Sequence, residues 1–366
     1  MKKIHFAKEA KSHATFSSAL KKNVANYFKE THLPTTANAA MIFKTIVMIS
    51  LYLVPFTLIL VLNPSGWLAL GLTVLMGIGI AGTGMGVMHD AVHGAYSKRK
   101  WVNQLLGGTL YLLGSNVLNW KIQHNVLHHT YTNINELDED IASKGPIRLA
   151  EEAPLKAIHK YQYIHAFFFY GLMTLAKIYN DFFQLAKYNR MGITKGLNAH
   201  PTGEYLKMVF RKVVYLVLII GLPLYFTDFL WWQVALGFFI MHWVAGFILA
   251  VIFQLAHVVE GAEQPVPSLE GNLDNEFAVH QLLTTADFGR NNRFLTWFVG
   301  GLNFQVEHHL FPQICHIHYK NLSYIVEKTA KEFNLPYNSK PTFLAAFRSH
   351  VKRLKALGRK STVGKG

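Results

Sequence analysis

Three groups of histidines dominate the chemistry this sequence could do. His89-Asp90-Ala91-Val92-His93 sets two imidazoles four residues apart. On a helix such positions share a face, with Cβ atoms roughly 6 Å apart. The pair could bind one metal, or one each of two neighbouring metals. Two polar residues capping a helix end would look the same, so this pair alone is weak evidence. His124-Asn125-Val126-Leu127-His128-His129 adds a second such pair and an adjacent histidine. Adjacent side chains on an α-helix diverge by about 100°, which turns His128 and His129 toward different metals. Gln305-Val306-Glu307-His308-His309 repeats the adjacent pair far downstream, and His257 follows Phe253-Gln254-Leu255-Ala256. Packing explains these clusters poorly, because imidazole is an expensive core filler unless both nitrogens find partners.

Eight imidazoles exceed the needs of one ion. An imidazole-rich shell suits iron, copper, nickel or zinc. Two irons with positions left open for oxygen is the reading that also supplies a reaction. A mononuclear site of two histidines and one carboxylate would leave most of the set idle. Metal-bound imidazoles need acceptors behind them to fix the tautomer. Asp90, Asp138, Asp140 and Glu307 are placed for this in sequence, with a solvated turn the equal alternative for Asp138-Glu139-Asp140. His316 and His318 read as support rather than ligands. His242 lies inside an apolar run, either functional or bonded to a facing helix. His280 is left open. His5, His13, His32, His159, His165, His200 and His350 read as ordinary surface or interface residues.

The elements that position these groups must be membrane helices. Of 366 residues, 51% are hydrophobic and 16% charged, against about 25% charged in soluble domains. Runs at 41–62, 67–88, 208–226 and 229–253 reach the length of about 20 apolar residues that a crossing needs. Asn63-Pro64-Ser65-Gly66 reads as the turn of a first hairpin. The last two runs form a second hairpin, with Arg211 and Lys212 snorkelling at its start. Segment 101–118 carries Gly107, Gly108 and Gly114 and reads as a helix dipping into the membrane. Segment 164–175 reads as interfacial. A full crossing at 101–118 would split the histidines between two sides.

Net charge is +15, and the basic residues lie outside the apolar runs, so lipid headgroups rather than nucleic acid are the expected partner. Lys2, Lys3, Lys8, Lys11, Lys21, Lys22 and Lys29 precede the first run; Lys98, Arg99 and Lys100 follow the second; neither hairpin tip carries Lys or Arg. The positive-inside rule sets both termini, and the histidines, in the cytoplasm. The single cysteine, Cys315, excludes an internal disulfide or a cysteine zinc site. No early apolar core suggests a secretory leader. The expected architecture is an all-α integral membrane protein: four transmembrane helices in two hairpins, with the histidine clusters on the cytosolic side. Residues 1–40 form a basic cytosolic segment, 41–340 the membrane domain, and 341–366 a basic tail.

The run Gly301-Leu302-Asn303-Phe304-Gln305-Val306-Glu307-His308-His309-Leu310-Phe311-Pro312, with the two upstream boxes, resembles membrane fatty-acid desaturases. It is most similar to the front-end group, whose third box begins with Gln. The resemblance runs from about His89 to Tyr319. It implies four membrane helices under a cytosolic cap, two irons and O2 as co-substrate. It implies His89, His93, His124, His128, His129, His257, His308 and His309 as iron ligands and catalytic residues. Gln305 stands where related enzymes have a ligand histidine, and its coordination is left open. Many front-end enzymes carry a fused cytochrome b5. Here no His-Pro-Gly-Gly motif occurs, and His200-Pro201-Thr202-Gly203 matches it only superficially. A separate electron carrier, ferredoxin or cytochrome b5, is therefore expected, as is a bacterial inner membrane.

The expected activity is insertion of a cis double bond on the carboxyl side of an existing one, in an acyl chain carried on CoA or a lipid. A hydroxylase or ketolase on the same scaffold begins with the same hydrogen abstraction, so the histidines do not separate them. A non-catalytic metal-binding membrane protein is the reading from another class. It fits less well, since the clusters sit at or beyond helix ends rather than along a crossing.

Overall fold

The computed structural model describes residues 4–7, 15–142 and 145–359. Lys2, Lys3, Lys8, Lys11, His13 and the end of the basic tail lie outside the described residues. The fold divides into two compact units.

One unit comprises residues 38–122 and 167–251. Four helices are long and apolar enough to cross a membrane: Ala39–Leu62, Gly66–His93, Pro201–Phe226 and Trp231–His257, the last running out of this unit at its end. They match the four expected runs, extended by a few residues at most ends. Asn38 starts the first, its side chain accepting from the Met41 amide. Asn63 ends it in the left-handed region at φ 43°. Across the hairpin tips, Asn63 bonds the carboxylate and the amide of Asp228.

Glycines let the second helix approach its neighbours. A Cβ on Gly79 would stand 2.6 Å from the Leu51 carbonyl carbon and the Tyr52 nitrogen, and one on Gly77 would stand 2.7 Å from the Met241 carbonyl oxygen. Small residues at such crossings let backbones meet where lipid gives no hydrophobic drive. Gly79→Leu is expected to separate the hairpin and cost about 3 kcal/mol or more. Thermal unfolding of the detergent-solubilised variant checks this.

Segment 101–118 is not one helix. It forms Lys100–Gly107, a tighter turn over Gly108–Leu113, and Val117–Trp120, with Gly114 at φ 71°. Gly107 and Gly108 stand where the first helix gives way to the tighter turn, and Gly114 ends that turn. Lys212 is buried rather than snorkelling: its ammonium bonds Asp181 at 2.9 Å and the carbonyls of Gly114 and Lys177 at 2.7 and 3.1 Å. His242 is a satisfied structural residue. Thr174 donates to the His242 carbonyl, so the His242 Nδ1–H donates to the Thr174 oxygen at 3.1 Å, and Nε2 accepts from Tyr215 at 2.7 Å.

The other unit comprises residues 1–37, 123–166 and 252–366. The segment before the first span is a helix, Phe16–Thr31, capped by Thr15. Phe16, Leu20 and Val24 pack with Ala278, Leu282, Phe304, Leu322 and Val326. Helices Phe277–Thr284, Tyr319–Glu332 and Phe343–Leu357 complete the unit. The all-α expectation misses one detail: Asp287–Phe288 and Ser339–Lys340 form a two-residue parallel pairing.

His159 and His350, read as surface or interface residues, are buried in the interior. His350 donates from Nδ1 to the Val258 carbonyl at 2.7 Å, and burial pushes it down to about 4. His280 is likewise pushed down to about 4 by burial, with Nε2 bonded to the Thr132 carbonyl at 2.9 Å. Both are neutral when folded and would take a proton when unfolded, near 6.5. Their stabilisation is therefore complete above about pH 6.5 and is lost as pH falls toward 4, on the order of 3 kcal/mol each. The melting temperature is expected to fall steeply between pH 7 and 4.5, measurable by a thermal scan in detergent.

Candidate metal centre

His124, His128 and His129 lie on a widened helical turn. Lys121–His128 is π-helical, and the His129 amide bonds the His124 carbonyl at 3.0 Å, an i to i+5 contact. The wider turn changes the expected pairing. His124 and His129 bring their Nε2 atoms to 3.3 Å, while His124 and His128 stack with centroids 5.2 Å apart. The 3.6-residue period assumed from sequence pairs His124 with His128 instead. π-turns often mark functional sites. Helix Gln305–Leu310 brings in His308 and His309, and the last turn of Trp231–His257 brings in His257.

Two sets of nitrogens result. The His129 Nε2 stands 3.3 Å from that of His124 and 2.9 Å from that of His308. The His128 Nε2 stands 3.2 Å from that of His309, and one ring nitrogen each of His128, His257 and His309 lie within 4.8 Å of one another. All six residues are buried.

The hydrogen bonds behind the rings say what these nitrogens carry. His128 Nδ1 bonds the Asp138 carboxylate at 2.9 Å, which can only accept. Asp138 is fixed in turn by the Asn133 and Asp140 amides, each at 2.9 Å. His309 Nδ1 bonds the Gln281 Oε1 at 2.8 Å, and the Gln281 Nε2 is anchored on the His129 carbonyl, so this oxygen too accepts. In the neutral rings both protons are therefore on Nδ1, and the two Nε2 lone pairs face each other at 3.2 Å. Opposed lone pairs at that distance repel unless a cation lies between them. Two nitrogens about 2.1 Å from one ion and at right angles stand about 3.0 Å apart, which these separations fit.

His257 gives the second sign. Neither ring nitrogen has a hydrogen-bond partner among the described residues; the Thr284 carbonyl is nearby without the geometry. A buried imidazole with both nitrogens unmet is costly, and a metal ligand meets that cost. The donor set therefore fits two imidazole-bound cations.

The charges agree. Burial disfavours a proton on His128, but Asp138 overrides it and raises the proton affinity. For His124 burial prevails, opposed by Asp140, and the affinity is lowered. Asp140 stands 3.7 Å from His124 and accepts from Gln123.

Glu307 departs from expectation. Among the described residues it bonds no histidine; its carboxyl accepts from the Tyr337 hydroxyl at 3.0 Å, beside Asp287. Burial raises both carboxyls, and Asp287 raises Glu307 further. Helix geometry explains the turn: Glu307 precedes two inward histidines and points away from them. Gln305 is buried, and its Oε1 has no partner among the described residues. The rings of His318 and Phe28 meet edge to face at 5.1 Å. His89 and His93 belong to the membrane unit, on the last turn of Gly66–His93, with ring centroids 4.8 Å apart and both edge-on to Trp120. Asp90 is buried on the same turn.

Sequence reasoning missed Gln281, Thr132, Asn133 and Tyr319. Tyr319 meets His308 Nδ1 at 3.2 Å. Thr132 bonds the His128 carbonyl and Gln281. Asn133, at φ 59°, donates to the carbonyls of His257, Glu263 and Thr284. One signal was available for Gln281, a lone amide in the apolar helix Phe277–Thr284.

A model of the fatty acid desaturase family matches residues 65–341. The chain belongs to that family. Among curated proteins, the desaturase is 34% identical to the sn-1 linoleoyl-lipid 6-desaturase of Synechocystis sp., over 94% of this chain and 96% of that one. It is 33% identical to the acyl-lipid (8-3)-desaturase of Physcomitrium patens, over 94% and 72% of the two chains. It is 31% identical to the sn-1 linoleoyl-lipid 6-desaturase of Arthrospira platensis, over 93% and 92%. The chain is thus an oxidoreductase of the membrane, and desaturation prevails over the hydroxylase and metal-carrier readings.

Proposed function

We propose that this desaturase inserts a cis double bond between an existing one and the carboxyl end of a lipid-linked C18 acyl chain, using O2 and two irons. Opposed Nε2 lone pairs of His128 and His309 carry the metal part of this reading. The Gln-led third box and the named relatives, two of them linoleoyl-lipid 6-desaturases, support the front-end part. In this reading His89 and His93 complete the ligand set begun by His124, His128, His129, His257, His308 and His309. The charge asymmetry of the loops favours a cytoplasmic centre and cytoplasmic termini.

Each turnover takes two hydrogen atoms from adjacent carbons and two electrons with two protons from outside. O2 is reduced to two waters, so an external one-electron carrier is required. Two bound irons would supply oxygen activation and the removal of hydrogen from an unactivated methylene. The chain's own residues do the rest. Asp138 and Gln281 hold His128 and His309 with their Nε2 lone pairs inward. Tyr319 orients His308, and Asn133 ties the segment after His129 to the end of the fourth long helix. Burial of all six rings keeps bulk water from the reacting carbons.

The test is lipid profiling of a host lacking such desaturases, expressing this chain and fed linoleate. A new double bond on the carboxyl side of carbon 9 is expected. A hydroxylated product, or a double bond toward the methyl end, would overturn the front-end reading.

A further inference from the structure

Arg211 sits oddly for a membrane helix. Its neighbour Lys212 is buried and fully bonded, as described above. Arg211 is half-buried and has no carboxylate partner among the described residues. Its guanidinium lies over the Tyr111 ring, 3.9 Å from the centroid, and one nitrogen bonds the Tyr111 hydroxyl. The nearest acid along the helix, Glu204, is taken by Lys207 at 2.8 Å.

The surroundings are apolar and open to lipid. Phe210, Val213, Val214, Val217 and Leu218 are exposed along this helix. A cavity of about 130 Å³ runs beside Arg211, between Tyr52, Leu112, Phe210, Val214 and Leu218. From Arg211 to Leu218 it follows about 10 Å of helix. From Arg211 to Phe226 the helix runs about 22 Å, so in a hydrocarbon core of about 30 Å the Arg211 backbone lies about 8 Å inside the nearer edge, from which a long side chain reaches toward the headgroups.

A cation left unpaired at that depth is costly. A phosphodiester is the partner its planar fork matches, and a slot beginning at a cation and continuing apolar matches a headgroup followed by a chain. We propose that Arg211 and Tyr111 hold the phosphate of a membrane phospholipid, with one of its acyl chains lying along Phe210, Val214 and Leu218. The site lies wholly within the membrane unit and stands apart from the histidine clusters, so it does not depend on the desaturase reading.

Native mass spectrometry of the full chain, released from detergent micelles with added lipid, tests it. Phosphatidylglycerol and an uncharged galactosyl diacylglycerol of the same chains are compared on wild type, Arg211→Gln and Lys195→Gln, the last an exposed lysine of the same unit. Wild type and Lys195→Gln are expected to retain one phosphatidylglycerol, with occupancy at least fivefold above the galactolipid. Arg211→Gln is expected to lose that preference. Equal retention of the two lipids by wild type would overturn the site without recourse to any variant. Retention of the preference by Arg211→Gln would overturn the role of Arg211.

Discussion

His128→Ala is expected to abolish product formation, by at least three orders of magnitude, and to lower the bound metal. Its Nε2 is one of two lone pairs opposed at 3.2 Å, and its Nδ1 is committed to Asp138. Removing the ring leaves Asp138 buried without its imidazole and takes one ligand from the set that also includes His257 and His309. Alanine cannot donate to a metal, and the neighbouring imidazoles are already spoken for. The check is paired: product by gas chromatography and metal per chain by elemental analysis, on the same preparation. Full activity, or unchanged metal content, would sink the assignment of His128. His32→Ala, at an exposed position, serves as the histidine control and should leave both readouts unmoved.

Asp138→Asn should cost 10–100-fold in activity or metal affinity, the usual range for the groups behind a metal-bound histidine. The amide keeps the size of the carboxylate and can still accept through one oxygen. It also presents an N–H group toward atoms that now donate, namely the Asn133 and Asp140 amides and the His128 Nδ1–H. The imidazole then loses its fixed tautomer and part of its basicity. Excess iron in the assay is expected to restore part of the rate, because affinity rather than chemistry is impaired. A variant with wild-type rate at low iron would show that Asp138 serves only the fold.

Much of this site was legible because its histidines come in short motifs. Each box carries its own spacing, and the apolar runs carry their own length, so the four long helices and the histidine clusters follow from the sequence. What stayed hidden has no local pattern. Gln281 lies 28 residues before His309, and its role arises from an approach of two helices that no periodicity encodes. The π-turn at His124–His129 is hidden for another reason. Sequence patterns assume 3.6 residues per turn, and the wider turn is set by tertiary packing. Glu307 was misread because adjacency to histidines in sequence does not mean facing them on a helix. His159 and His350 were misread because a lone histidine outside any motif gives no sign of burial, which only the packed fold decides.

The most direct test of the dinuclear reading is the Mössbauer spectrum and iron count of ⁵⁷Fe-enriched protein, purified without added chelator. Two irons per chain, both with the parameters of nitrogen-rich, non-haem sites, are the expected result. One iron per chain, or zinc filling the sites while activity persists, would contradict it.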